Sequence, residues 1–407
     1  MPALADTALA HEFPILRREG LVYLDSAATA QKPRVVIEAM EDLLARHNAN
    51  VHRAVYPLGA EADERYEGAR GRIAAFTGST PQETIVTKNA TEALNLVAHA
   101  WGREHVREGD AIVLTQAEHH SNIVPWQILA RAAGAELRYL EVDEEGRISI
   151  EQLDAQLADG RARAVAVAHV SNVLGTIFPV EEIVARARAA GVATIVDGSQ
   201  AVPQIAVDVG AVGADFYAWT GHKAYGPTGV GILHGRRELL EAMPPFLGGG
   251  DMIKSVDFDG ATWNDLPWKF EAGTPPVAEV VGLGAAIDFL SAIGMERVRA
   301  HEQELTAYAL ERLSEVPGLR AYGPPDAADR GALVAFTLDG AHPHDVAEIV
   351  ARDGVCIRAG HHCAQPLMRR LGVGATSRAS FAVHSTRADV DWLVDGLQRV
   401  REIMRLG

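Results

Sequence analysis

The sequence predicts an α/β fold in which a large domain, built on a mostly parallel sheet flanked by helices, is joined to a smaller α+β domain. Two patterns and one limit lead there. Between about residues 84 and 233, short β-branched runs alternate with helix-like stretches, as expected of strands linked by crossover helices. Beyond residue 276 the order changes to two long helical stretches, two strand-like runs and a final helix. At 407 residues the chain also exceeds the usual size of one domain, so a second packing unit is expected.

Taken in order, residues 84–88, 111–114, 164–168, 193–196 and 215–219 are short, apolar and bounded by polar or glycine-rich segments, so they read as strands inside the sheet. Residues 92–101, 123–133 and 180–190 carry helical spacing with few breakers, as crossovers between parallel strands require. From 243 to 276, Pro244, Pro245, three successive glycines at 248–250, Pro267 and Gly273 punctuate a long segment that reads as a functional loop. Helices follow near 277–292 and 294–313, with strands near Ala332 and Val355. The last helix carries Val390, Leu393, Leu397, Val400 and Met404 on one apolar stripe.

Composition excludes several functions. With 54 acidic against 38 basic residues, the net charge of -16 disfavours nonspecific binding to nucleic acid or anionic membrane. No apolar run reaches the roughly 18 to 20 residues that span a bilayer. The start lacks the basic flank and apolar stretch of a secretory signal, and Asp6 and Glu12 argue against a transit peptide, so a cytoplasmic location is expected. The two cysteines, Cys356 and Cys363, are too few for a disulfide framework or a cysteine-based zinc site, and paired histidines at 119 and 120 lack the HExxH spacing of zinc enzymes. No metal site is expected.

The chemistry concentrates around Thr220-Gly-His-Lys223, where a predicted strand ends and a glycine-rich turn follows. A lysine made less basic by burial or a neighbouring cation forms a Schiff base with an aldehyde, which is how pyridoxal 5'-phosphate (PLP) is held; a surface lysine before a turn has the same local signature. Asp197 closes a predicted strand at the carboxyl edge of the sheet, where α/β ligands bind, and a carboxylate there keeps a pyridine nitrogen protonated. Alone it is equally an Asp at the start of a turn. Asn89-Ala-Thr91 opens a helix after a strand, so its amides and the Thr91 hydroxyl suit a phosphate as well as an ordinary cap. Thr220 and His222 offer further donors to that phosphate, and Glu118-His-His-Ser121 offers a histidine ring to a cofactor face.

These residues, with Tyr23-Leu-Asp-Ser-Ala-Ala28, Val51-His-Arg53, His169-Val-Ser-Asn-Val-Leu-Gly175, Val196-Asp-Gly-Ser-Gln200, Phe270-Glu-Ala-Gly-Thr274, Arg358-Ala-Gly-His-His-Cys363 and Arg378-Ala-Ser380, resemble the SufS-type cysteine desulfurases. That group lies in the class V aminotransferase superfamily of fold-type I PLP-dependent transferases. The resemblance covers nearly the whole chain. It implies a seven-stranded sheet, a large PLP-binding domain over 25–275, and a small domain from 1–24 and 276–407 carrying the catalytic cysteine loop. It makes Lys223 the Schiff-base lysine, Asp197 the pyridinium partner, His120 the ring stacked on the cofactor, and Gln200 a contact to the phenolic oxygen. Thr91, Thr220 and His222 become phosphate ligands. Thr274 matches a residue that reaches the phosphate of the neighbouring subunit, which implies a homodimer. Asn172 and Arg378, with Arg358 nearby, match groups that orient the substrate carboxylate.

Cys363 lies in a polar, glycine-containing segment that favours a reactive thiol, with Arg358, His361 and His362 available to stabilise a thiolate, whereas Cys356 sits between apolar neighbours and reads as a buried strand cysteine. The resemblance implies that Cys363 takes sulfur from L-cysteine as a persulfide, leaving L-alanine, for iron-sulfur cluster assembly or related delivery. Selenocysteine lyase, another C-S lyase, and sulfur supply to secondary metabolism remain alternatives. His342, in Ala341-His-Pro-His-Asp345, resembles the residue by which relatives meet the zinc of a SufU-type sulfur acceptor, and a helix-start loop is the plainer reading. Two departures stand out: Ala54, Val55 and Tyr56 replace a usual Gly, Val and His, and Thr220 replaces a frequent serine.

Overall fold

The computed structural model describes residues 9–53 and 55–406. Its strands are β1 (Val22–Tyr23), β2 (Thr84–Thr87), β3 (Ala111–Thr115), β4 (Glu136–Leu140), β5 (Ala162–Ala168), β6 (Ala193–Asp197), β7 (Phe216–Thr220) and β8 (Gly231–Gly235). The rest are β9 (Ile253–Asp257), β10 (Gly260–Trp263), β11 (Leu319–Tyr322), β12 (Leu333–Leu338), β13 (Val355–Cys356), β14 (Arg358–Gly360) and β15 (Thr376–Ser380). Seven of them form the main sheet in the order β2-β8-β7-β6-β5-β3-β4. Every pairing from β7 to β4 is parallel, and β8 alone runs against its neighbours. Helices on both faces bury β3 and β7 completely, which is why these strands are unbroken apolar runs rather than alternating ones.

The expected strands are all present, but their setting differs in one respect. The run at 84–88 was expected inside the sheet and lies at its edge, because β8 intervenes between it and β7. β8 escapes a reading based on β-branched runs because its sequence is Gly-Ile-Leu-His-Gly. Gly231 is required there: a Cβ would lie 2.4 Å from the Cα of Asn89, so a side chain would displace the loop that opens the next helix. β4 also went unread, since its outer residues are polar and partly exposed.

The crossover helices Val124–Ala133 and Val180–Ala189 match expectation, the first ending at Gly134 in the left-handed conformation. The helix expected at 92–101 begins at Ala90, capped by Asn89 whose side chain accepts the Glu92 N–H at 3.0 Å, and loosens into a π turn over Val97–Gly102. Within the 243–276 segment, β9 and β10 form an exposed antiparallel hairpin. Having no buried face, it carries no alternating pattern to read.

The C-terminal part contains an antiparallel sheet ordered β11-β12-β15-β14. Helices Met295–Ser314, Pro343–Ala351 and Arg387–Met404 supply apolar side chains to its core. The last has a capping box made by Thr386 and Asp389. β1 pairs in parallel with β13, which sets Val22 and Tyr23 against this part. Phe13 also packs on Tyr225 and Phe289, with ring centroids 6.0 and 5.8 Å away. Cys356, expected buried, is half-buried in the short strand β13. Among the described residues, no single helix is long and apolar enough to cross a membrane.

The segment after the hairpin is fastened by a buried ion pair. Arg70, fully buried on the helix Pro57–Phe76, donates to both oxygens of Glu271 at 2.6 and 2.8 Å, and Glu271 also accepts the Val86 N–H at 2.7 Å. Arg70→Met leaves that carboxylate buried without its counter-ion, so it should destabilise the fold by about 3 to 5 kcal/mol. A lower urea midpoint at unchanged slope is the expected result.

Candidate active site

β6 and β7 are neighbours whose carboxyl ends, Asp197 and Thr220, open on one edge of the sheet. The turn Gly221–Lys223 follows directly and brings Lys223 to the same place. A cavity of about 370 Å³ forms there, lined by Asp197, Thr220, His222, Lys223 and Gln200, with Asn89, Ala90 and Thr91 from the helix start. Asp197 is buried and accepts the Ser199 N–H at 3.0 Å. Burial pulls the Lys223 ammonium down to about 8; the Arg378 charge pushes the same way, while Asp197 and Cys363 oppose. Gln200 is fixed by donating to the Ala27 carbonyl at 2.8 Å.

Of the paired histidines, the structure brings His119 to this cavity rather than the expected His120. The cause is the backbone. His119 is extended and His120 opens a 3-10 turn, so the rings diverge, with centroids 6.3 Å apart. The turn rests on buried Glu118, which accepts from the Thr115 hydroxyl at 2.6 Å, the Asn122 amide at 2.7 Å and the Ala168 N–H at 3.0 Å. Burial, then the Lys223 charge, lowers His119 to about 4, so its ring is neutral. His119 Nδ1 accepts the Ser121 N–H at 3.1 Å, which leaves the proton on Nε2.

The other end of the cavity is cationic. Arg378 is buried in β15 and Arg358 is half-exposed in β14. Both point to Asp25, Arg358 at 2.7 Å and Arg378 at 3.4 Å. Arg378 also donates to the Asn172 carbonyl at 2.7 Å, and the Asn172 side chain donates to the His362 carbonyl at 2.6 Å. Asp25 escaped the sequence reading as a site residue, although it stands in the quoted Tyr23–Ala28 motif, because nothing local links it to arginines more than 330 positions away.

Cys363 is exposed on the loop between β14 and the short helix Gln365–Arg370. His362 and Cys363 both hold positive φ, 52° and 55°, a conformation that costs an L residue about 1 to 2 kcal/mol each. The thiol loop borders two spaces. One is the cavity of Lys223; the other, of about 640 Å³, is lined by His120, His342, His344 and His361. Thr274 is not in the Lys223 cavity but exposed in a separate groove beside Lys88 and Gly229. Tyr56 is half-exposed and does not line the cavity, and Ala54 lies outside the described residues.

A family model described as aminotransferase class-V matches residues 22–393. The chain belongs to the class-V aminotransferase family. It is similar to the cysteine desulfurase of Haloferax volcanii, 47% identical over 97% of each chain. The crystal structure of the cysteine desulfurase CsdA from Escherichia coli superposes with a TM-score of 0.92 at 39% identity, covering 99% of both chains. The apo structure of a cysteine desulfurase from Thermococcus onnurineus gives 0.94 at 37% identity, covering 100% of this chain and 99% of that one.

The chain is therefore a PLP-dependent enzyme of the fold-type I class. The residues present fit that group. Thr220 Oγ1 is buried without a partner, as a hydroxyl awaiting a phosphate oxygen would be, and it lies in the same cavity as the start of the helix at Ala90. Asp197 suits a pyridinium proton, and the depressed Lys223 suits an aldehyde. With Lys223 lowered to about 8, capture of PLP by the apoprotein should rise through about pH 8, below the ordinary lysine range, as the neutral amine forms. Stopped-flow absorbance across pH 6.5 to 10 checks the inflection.

Proposed function

We propose that this class-V enzyme is a cysteine desulfurase that converts L-cysteine to L-alanine and receives the sulfur on Cys363. One observation carries the reading: an exposed cysteine at the rim of the Lys223 cavity, close enough for its charge to act on Lys223 and Arg378. Desulfurase relatives across nearly the full length support it.

Arg378 and Asn172 hold the substrate carboxylate, the first through a guanidinium already oriented by Asp25 and the Asn172 carbonyl. Arg358 adds positive charge at the cavity mouth. PLP, when bound, supplies the electron sink that makes loss of the α-proton feasible. Lys223 in its neutral form takes that proton and later returns one to carbon. The neutral His119 ring lies in the same cavity and would cover the cofactor face, the role the resemblance gave to its neighbour. Cys363 thiolate attacks the substrate sulfur. The Cβ–S bond breaks with its electron pair left on carbon, and an S–S bond forms. Cysteine and a Cys363 thiol thus become alanine and a Cys363 persulfide, with no external oxidant. The exposed loop then offers the outer sulfur to an acceptor.

A homodimer with Thr274 completing the partner's phosphate site, a cytoplasmic setting and delivery to iron-sulfur cluster assembly go with this reading. Selenocysteine lyase is the rival, and dependence on Cys363 separates the two. Comparing alanine formation from L-cysteine under reductant at equal PLP occupancy, Cys363→Ala should fall by on the order of 100-fold or more. A variant as active as the parent would overturn the role of Cys363.

A zinc-containing sulfur acceptor of the SufU type is the proposed partner. His342 supports this: it caps the helix Pro343–Ala351, accepting the His344 N–H at 3.3 Å, and borders the outer space beside Cys363. His342→Ala should remove acceleration by such a protein in a steady-state alanine assay while leaving the PLP absorbance intact, and unchanged acceleration would count against the docking.

A further inference from the structure

His120, displaced from the cofactor cavity, grips the Cys363 loop at two points, the cysteine's own carbonyl and the start of the helix that follows it. Its backbone N–H donates to the Cys363 carbonyl at 2.7 Å, and its ring Nε2 accepts the Gln365 N–H at 3.0 Å. A backbone N–H only donates, so Nε2 is the unprotonated nitrogen and the ring is the acceptor. Gln365 is the first residue of the helix Gln365–Arg370, where the backbone N–H has no partner within the helix. The residues leading into these contacts need such restraint, because His362 and Cys363 both sit in the left-handed region. The Asn172 amide holds the His362 carbonyl on the preceding side.

We infer that His120 is a positioning residue that fixes the Cys363 thiol at the boundary of the two cavities, through a ring that caps the Gln365 N–H and a backbone N–H that pins the Cys363 carbonyl. It lines the outer space and not the Lys223 cavity. Its sequence neighbour His119 faces the cofactor cavity, so the two histidines divide the work: one lines the site of carbon chemistry and the other aims the sulfur acceptor. Burial, then the neighbouring His361, lowers the His120 imidazole below its usual value, which favours the neutral acceptor form. This assignment rests on Cys363 as the sulfur acceptor.

His120→Met and His120→Gln test it in the holoenzyme. The two side chains have similar length and bulk, and glutamine places an amide oxygen about where Nε2 lies. Hydrogen exchange at the Gln365 amide reads the contact without turnover; it should speed up about 10-fold or more in His120→Met and stay close to the parent in His120→Gln. Single-turnover persulfide formation should fall by about 10- to 100-fold in His120→Met, as a small misplacement of a reacting group does, with KM for cysteine little changed. His120→Gln should restore most of that rate. Parent-like exchange and rate in His120→Met would overturn the proposal, as would a rise in KM without loss of rate, or a glutamine variant as impaired as methionine. Should Cys363→Ala remain fully active, the desulfurase role of Cys363 falls, while the exchange measurement still decides whether His120 holds the loop.

Discussion

The site depends on one carboxylate held between two guanidinium groups. Asp25 lies just after β1, its bridge to Ser380 runs alongside β15, and the Ala27 N–H donates to the Ser380 hydroxyl at 2.9 Å. The next contact crosses to the main body, since the Ala27 carbonyl receives the Gln200 side chain. A segment of a few residues thus spans from the antiparallel sheet to the cofactor cavity. The exposed half of the cluster, Arg358, contributes little to stability by itself. Arg378 is different: it is buried, and burial pulls its guanidinium down to about 10 while Asp25 opposes the shift. Removing Asp25 would strand a cation in protein, a far larger cost than loss of a surface pair.

That cation then acts on the rest of the cavity. Arg378 helps lower Lys223, and Lys223 in turn helps keep His119 and His222 neutral, each lowered to about 4 by burial first and by the Lys223 charge next. Asp197 opposes the shift at Lys223 and at His119, so the two carboxylates sit at opposite ends of a run of basic groups. The arrangement allows an amine that is less basic than usual, two uncharged imidazoles, and a buried guanidinium facing the cavity. Each follows from burial first and from the neighbours' charges second.

How much of this was legible depended on whether the signal was local. The buried runs at 111–114, 164–168, 193–196 and 215–219 could be read because their periodicity and boundaries lie within the run. β8 could not, since two glycines and a buried histidine replace the apolar signature: Gly231 leaves space for Asn89, Gly235 for Leu240, and His234 bonds to Thr77 and Trp219. Asp197 and Lys223 were readable from their places after predicted strands, and the structure puts both in one cavity. The choice between His119 and His120 was not, because it turns on where a 3-10 turn begins, and that turn is set by Glu118 bonding to Ala168, fifty positions away. Asp25 likewise carries no local mark of its two arginines.

The role proposed for Cys363 accounts for why its loop departs from the economy of the core. A sulfur acceptor buried beside Lys223 would reach substrate easily but could not hand sulfur onward, and one on an ordinary exposed turn would have no fixed approach to the cavity. The loop answers both needs with two consecutive left-handed residues, an unfavourable backbone that carries the thiol to a rim shared by two spaces. Such a conformation persists only where its surroundings over-determine it. Here they do so through carbonyl and amide contacts to His120 and Asn172, both contributed by the main body rather than by the lobe that bears the cysteine. The position of the thiol is therefore set by how the two parts of the chain are packed against each other, and the same packing supplies Arg378, held by Asp25, to the cavity.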